Sequence, residues 1–167
     1  MANKLIIGNW KLNPATLNEA VALASGVSYA IRSRDFENMV LLPPFIFLEE
    51  LAKRFRQINW GAQDVFWENI GAYTGEISLP MLQDIGISWV LAGHSERRRF
   101  FGETDEIVNK KIKSSLAADF NVIMAVGELQ KGESYTHQFK TSGVFSYHDH
   151  AANLQELDSA EGVIIVK

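Results

Sequence analysis

The sequence predicts an α/β protein built on a parallel sheet or barrel with about seven strands. Three features predict it. Seven short apolar runs rich in branched residues recur along the 167 residues. Longer amphipathic stretches separate most of them, and polar clusters follow several of the runs directly. Short runs apolar on both faces are what strands covered by helices on both sides require. The alternation of such runs with helical patterns gives parallel βα units.

The expected strands are Leu5–Ile7, Met39–Leu42, Ile58–Ala62, Trp89–Ala92, Val122–Val126, Val144–Tyr147 and Val163–Val166. After the first, Asn13 is a candidate helix cap with Pro14 at the first position, and Leu17, Val21, Ala24 and Ile31 mark one face. Pro44 opens a second helix with Phe47, Leu48, Leu51 and Phe55 inward. A third runs from about Pro80 to Ile85 and stops at Gly86. Thr104 caps a fourth, with Asp105 and Glu106 in its first turn. Lys110, Lys111 and Lys113 lie further on, as the helix dipole favours. Ala151–Leu157 is a candidate fifth. Residues 128–143 are polar, with weak periodicity and no assignable element.

Composition narrows the function. The chain is 47% hydrophobic and 22% charged, as expected of one soluble globular domain over 1–167. A net charge of −4 offers no basic field for nucleic acid or an anionic membrane surface. With no cysteine there is no disulfide, thiolate nucleophile or zinc–thiolate site, which suits a reducing, cytoplasmic setting. Met-Ala-Asn-Lys leads into a run of only three apolar residues before Gly8, too few for a signal peptide, and no apolar run approaches a membrane span.

The densest chemistry is Gly93-His94-Ser95-Glu96-Arg97-Arg98, directly after Trp89–Ala92. A buried strand ends in glycine, and a histidine, a carboxylate and arginines crowd its C-terminal rim, where α/β folds build active sites. The arginines at 97 to 99 are flanked by Glu96 and Glu103, so a solvated ion-pair network is their expected use. Trp10, Trp60, Trp67 and Trp89 are expected to pack.

This motif resembles triosephosphate isomerase in company with Gly8-Asn9-Trp10-Lys11-Leu12-Asn13, Gly61-Ala62-Gln63-Asp64, Gly71-Ala72-Tyr73-Thr74-Gly75-Glu76 and Val126-Gly127-Glu128. They stand in the family's order and spacing over roughly the first three-quarters of the chain. The resemblance implies a shrunken, parallel TIM-barrel-like fold. Residues 1–128 correspond to its strands 1–5 and 144–167 to its strands 7–8. It implies a homodimer and the interconversion of dihydroxyacetone phosphate and glyceraldehyde 3-phosphate, with no cofactor. By the same resemblance Lys11 attracts the anionic substrate beside Asn9, His94 is the neutral imidazole that polarises the carbonyl, and Glu96 is its neighbouring glutamate. Tyr73, Thr74, Gly75 and Glu76 form the loop inserted into the partner subunit.

The resemblance breaks after Glu128. A barrel of this type takes about 250 residues. The family's sixth strand with Glu-Pro-Val-Trp and its glycine-rich lid have no counterpart here. That glutamate is the base that removes the carbon-bound proton. Tyr-Gly-Gly-Ser is replaced by Tyr147-His148-Asp149-His150, and the Gly-Gly of the final loop is not reached. Glycines there let backbone N–H groups approach phosphate. An odd strand count also breaks the alternating layers of an eight-stranded barrel.

The expectation is therefore a family member inactive or very weak as an isomerase, keeping a Lys11/His94 pocket for small phosphorylated or carbonyl metabolites. Two alternatives stand beside it. One is a non-catalytic dimeric scaffold. The other is a competent isomerase recruiting Asp149, His148 or Glu128 as base. No metal is expected, although His148 and His150 point to one side of a strand and are candidate ligands.

Overall fold

The computed structural model describes residues 5–32, 39–130, 145–148 and 159–166. It divides into two compact units, Met1–Val90 and Leu91–Lys167. Among the described residues, seven strands form one hydrogen-bonded sheet. They are β1 (Ile6–Asn9), β2 (Met39–Leu42), β3 (Asn59–Ala62), β4 (Trp89–Ala92), β5 (Asn121–Gln130), β6 (Phe145–His148) and β7 (Ser159–Val166), in the order β1-β2-β3-β4-β5-β7-β6. The fold class is the one expected: an α/β fold with five parallel strands, consistent with a shrunken TIM barrel.

In the first unit the strands pair in parallel, with Ile6 beside Met39, Val40 beside Asn59 and Gly61 beside Trp89. Val40, Leu42 and Val90 are fully buried, as strands covered on both faces must be. Gly61 is needed for a close approach: a Cβ there would lie 2.8 Å from the Cβ of Trp89. Helix α2 (Phe45–Arg54) follows Pro44 and buries Phe47, Leu48 and Leu51 as expected, with Phe55 at its C-cap. Helix α3 (Leu79–Asp84) buries Leu79 and Leu82. Trp60 is buried, meets Trp10 edge-on at 6.0 Å, and donates from Nε1 to the carbonyl of Phe55. Trp67 stacks on Phe66 with centroids 4.0 Å apart.

Helix α1 (Leu17–Arg32) corrects two expectations. Its cap is Thr16, not Asn13. Thr16 Oγ1 accepts from the N–H of Glu19, and Glu19 Oε2 accepts from the N–H of Thr16 at 3.1 Å. That reciprocal pair is a capping box, legible as Thr-x-x-Glu. Its buried stripe is Ala20, Ala24 and Ser28, while Leu17 is exposed. Small residues at spacing four let the helix lie close to its neighbours.

In the second unit, helix α4 (Ser95–Phe101) follows β4 and was not foreseen. Helix α5 (Asp105–Ala117) is capped by Thr104, whose Oγ1 accepts from the N–H of Ile107. Lys111 does not serve the dipole at a helix end. It is buried and ion-paired to Glu103. Strand β5 does not end at Val126 as expected but continues to Gln130, with a bulge between Ala125 and Gly127. Strand β7 runs antiparallel to both β5 and β6. Antiparallel neighbours need no crossover helix between them, unlike the parallel strands that precede them. The expected fifth helix, Ala151–Leu157, lies outside the described residues, as do Asp149 and His150. Only the backbone of His148 is described.

Candidate functional site

The first group of site residues follows β1. Asn9 ends that strand, and its Oδ1 accepts from the N–H of Lys11 at 2.9 Å. Lys11 sits at φ 54°, the left-handed region that non-glycine residues rarely enter. Gln63, just past β3, holds it there. Its Nε2 donates both to the carbonyl of Lys11 at 2.9 Å and to that of Leu42 at 2.8 Å. One amide thereby ties the ends of β1, β2 and β3 together. A strained lysine fixed by its neighbours is the kind of backbone cost that persists where geometry matters more than local stability. The Lys11 side chain is exposed.

The second group follows β4. Gly93 turns the chain at φ 78°, and His94 is the N-cap of α4. Its Nδ1 accepts from the backbone N–H of Glu96 at 3.2 Å. A backbone N–H can only donate, so Nδ1 carries a lone pair and the proton of the neutral ring sits on Nε2. The Glu96 carboxylate is 3.6 Å from Nδ1, too far for a good hydrogen bond, and the shorter contact governs. His94 itself is buried. The carbonyl of His94 also accepts from the N–H groups of Arg97 and Arg98.

The arginines do form ion pairs: that of Arg98 is solvated as expected, while that of Arg97 reaches a buried carboxylate. Arg98 donates to the carbonyl of Gly93 at 2.9 Å and to Asp105 at 2.7 Å. Arg97 and Lys111 both donate to Oε1 of Glu103. Glu103 and Lys111 are buried. Burial pushes the Glu103 carboxyl up, yet the hydrogen bonds and charges of Lys111 and Arg97 outweigh it and hold the group below its ordinary value.

The two motifs at Asn9–Lys11 and His94–Glu96 thus each have a defined local geometry. Among the described residues no group of three or more His, Asp or Glu side chains stands ready for a metal. Two residues of the site carry more than the sequence reading assigns them. Gln63 stands in a quoted motif without a role, because only the fold brings it to Lys11. Glu103 reads as a surface partner of the arginines, because its burial depends on the packing of α5. The missed helix α4 has its own cause: histidine is not among the usual capping residues.

The family model described as triosephosphate isomerase matches residues 4–165. The triosephosphate isomerase of Thermoanaerobacter sp. (strain X514) is 48% identical over 130 residues, covering 77% of this chain and 52% of that protein. That of Caldanaerobacter subterraneus subsp. tengcongensis is 45% identical over 141 residues, covering 81% and 56%. That of Trichodesmium erythraeum (strain IMS101) is 41% identical over 145 residues, covering 83% and 60%. The chain belongs to the triosephosphate isomerase family. It spans a little over half the length of these relatives.

The loop Tyr73–Glu76 lies between β3 and α3. Tyr73 is partly exposed, its ring 4.5 Å from that of Phe66, and Glu76 N–H donates to the carbonyl of Tyr73. No helix among the described residues is long and apolar enough to cross a membrane.

Proposed function

We propose that the chain binds a small phosphorylated carbonyl compound of the triose phosphate kind, as the resemblance of its Lys11 and His94 motifs to the family implies, with isomerase turnover weak or absent. The observation that carries this reading is the hydrogen bond that Nδ1 of His94 accepts from the N–H of Glu96. A neutral ring with its proton on Nε2 is a hydrogen-bond donor without net charge. Such a donor stabilises oxyanion character growing on a carbonyl oxygen. Lys11 supplies the cation for a phosphate or an enediolate, and Asn9 and Gln63 keep its backbone in place. What limits turnover is the base. No Glu-Pro-Val-Trp stands between β5 and β6 in the sequence, and without a base the carbon-bound proton has no acceptor.

The test is a titration of the purified chain with dihydroxyacetone phosphate, followed through the His94 ring signals, beside a coupled isomerase assay. Saturable shifts at His94 that vanish in Lys11→Met support the reading. No shift at millimolar ligand sinks it. Turnover above the buffer rate that survives His94→Ala removes His94 from the chemistry.

A second reading is favoured by a separate observation. Ile70, Tyr73 and Met81 are exposed and line one depression of the first unit. Large apolar side chains gathered on a surface mark an association site. We propose that the loop Tyr73–Glu76 seats against a second copy, as the family resemblance implies. Sedimentation of wild type against Tyr73→Asp tests it, and a concentration-independent monomer refutes it.

A further inference from the structure

We infer that the chain carries a second ligand site, at the N-terminal ends of β3 and β4, that takes a small planar carboxylate such as an aromatic acid. The site is separate from the proposed function. The strands of the first unit run parallel, so this end of the sheet lies opposite the rim where Asn9 and Lys11 stand.

The site begins where the sheet splits. β3 pairs with β2 from Asn59 onward, but with β4 only from Gly61, which lies beside Trp89. Ahead of that first rung, the chain entering β3 from α2 and the chain entering β4 from α3 part around a cavity of about 370 Å³. That volume suits a small-molecule ligand. Ile58, Ile85 and Ile87 line it, with the partly buried Trp89 beside them. All of these residues belong to the first unit. Apolar walls of this kind favour a ligand with an apolar body, because both surfaces leave water on contact.

Two groups in this lining are uncommitted. Among the described residues, neither the Trp89 indole nor the Arg56 guanidinium has a hydrogen-bond, ion-pair or ring partner. The other tryptophans differ: Trp60 donates to the carbonyl of Phe55, Trp10 meets Trp60 edge-on, and Trp67 stacks on Phe66. The neighbouring cations differ too. Lys53, also at the cavity, is ion-paired to Glu49, and Arg54 to Glu50. Asp84 acts on Lys53 as well. At the helix ends, the carbonyls of Phe55 and Leu82 already accept from the N–H groups of Ile58 and Ile87. What remains for a ligand is an indole N–H and one positive charge. A guanidinium fork matches a carboxylate with two parallel hydrogen bonds. An indole adds a donor and a flat apolar surface. A carboxylate on a planar apolar body meets Arg56, Trp89 and the isoleucines together. A triose phosphate, with no apolar body, leaves the isoleucines and the indole ring uncovered.

The test is titration of the purified chain with 2-naphthoate, followed by proton–nitrogen NMR of the indole groups, with Trp89 assigned by difference with Trp89→Phe. A saturable shift of the Trp89 Nε1–H signal is expected, and excess dihydroxyacetone phosphate leaves it unchanged. The uncharged 2-naphthamide keeps the rings and binds roughly tenfold more weakly, as loss of a charge-assisted pair directs. Arg56→Gln weakens 2-naphthoate binding by a similar factor. Lys53→Gln, whose cation is already paired, changes it by less than about threefold. Arg56 and Lys53 are exposed, so both variants keep the fold. The inference is overturned if the Trp89 signal stays still or fails to saturate at millimolar 2-naphthoate. It is equally overturned if Arg56→Gln binds 2-naphthoate as tightly as wild type, or if dihydroxyacetone phosphate displaces it. Trp89 signals report this whether or not the His94 signals respond to a triose phosphate, so failure here and failure of the proposed function are told apart.

Discussion

Replacing Gly93 by alanine tests the turn that aims His94. Gly93 adopts φ 78°, where an L-residue costs about 1–2 kcal/mol. The added Cβ would also lie 3.0 Å from Cγ1 of Val108, 3.1 Å from the carbonyl oxygen of Ala125 and 3.3 Å from Nη2 of Arg98. The Val108 methyl and the arginine can give way, but the Ala125 oxygen belongs to the β5 backbone. Overpacking against a fixed neighbour costs about 1–3 kcal/mol. The expected loss is therefore about 2–5 kcal/mol. Gly102 provides the control. Its φ is 69°, and a Cβ there meets nothing within 4 Å. Gly102→Ala is expected to cost only the backbone component, about 1–2 kcal/mol. Urea unfolding of both variants and wild type, followed by far-ultraviolet circular dichroism with the m-value checked for constancy, measures the difference. Equal losses would refute the steric half of the reasoning. A Gly93→Ala loss under about 1 kcal/mol would refute both halves.

Further outcomes are expected. Gln63→Leu leaves the carbonyls of Lys11 and Leu42 without their donor; it should cost about 1–3 kcal/mol and weaken phosphate binding, as read by denaturant unfolding and phosphate titration. Thr16→Val removes one half of the α1 capping box and should cost about 1 kcal/mol, a melting shift of about 2–4 °C. Leu42→Ala, at a fully buried position, should cost about 2–5 kcal/mol by denaturant unfolding. Glu103 is held below its ordinary value in the folded state, so its contribution is present at neutral pH and lost as pH falls through that lowered folded value. The acid limb of the stability curve should flatten in the Glu103→Gln, Lys111→Met double variant; an unchanged limb would mean other carboxylates dominate acid unfolding.

Much of this protein was legible in its sequence, for a physical reason. Strands covered on both faces must be apolar throughout, so Met39–Leu42 and Trp89–Ala92 coincide with β2 and β4. Thr104 as a cap and the inward face of α2 are likewise local properties, set by hydrogen-bond chemistry and helical spacing within a few residues. The motifs around Lys11 and His94 were enough to place the family. The tertiary structure decided what depends on partners distant in sequence. It brought Gln63 to Lys11 across 52 positions. It turned Lys111 from a helix-end charge into a buried partner of Glu103. It set β7 antiparallel to β5, a pairing that no local pattern encodes because side-chain alternation along a strand is the same in either direction. It also made His94 a helix cap, and a cap fixes which nitrogen holds the proton. Residue type put a histidine at the strand end; the neighbouring N–H of Glu96 made it a donor.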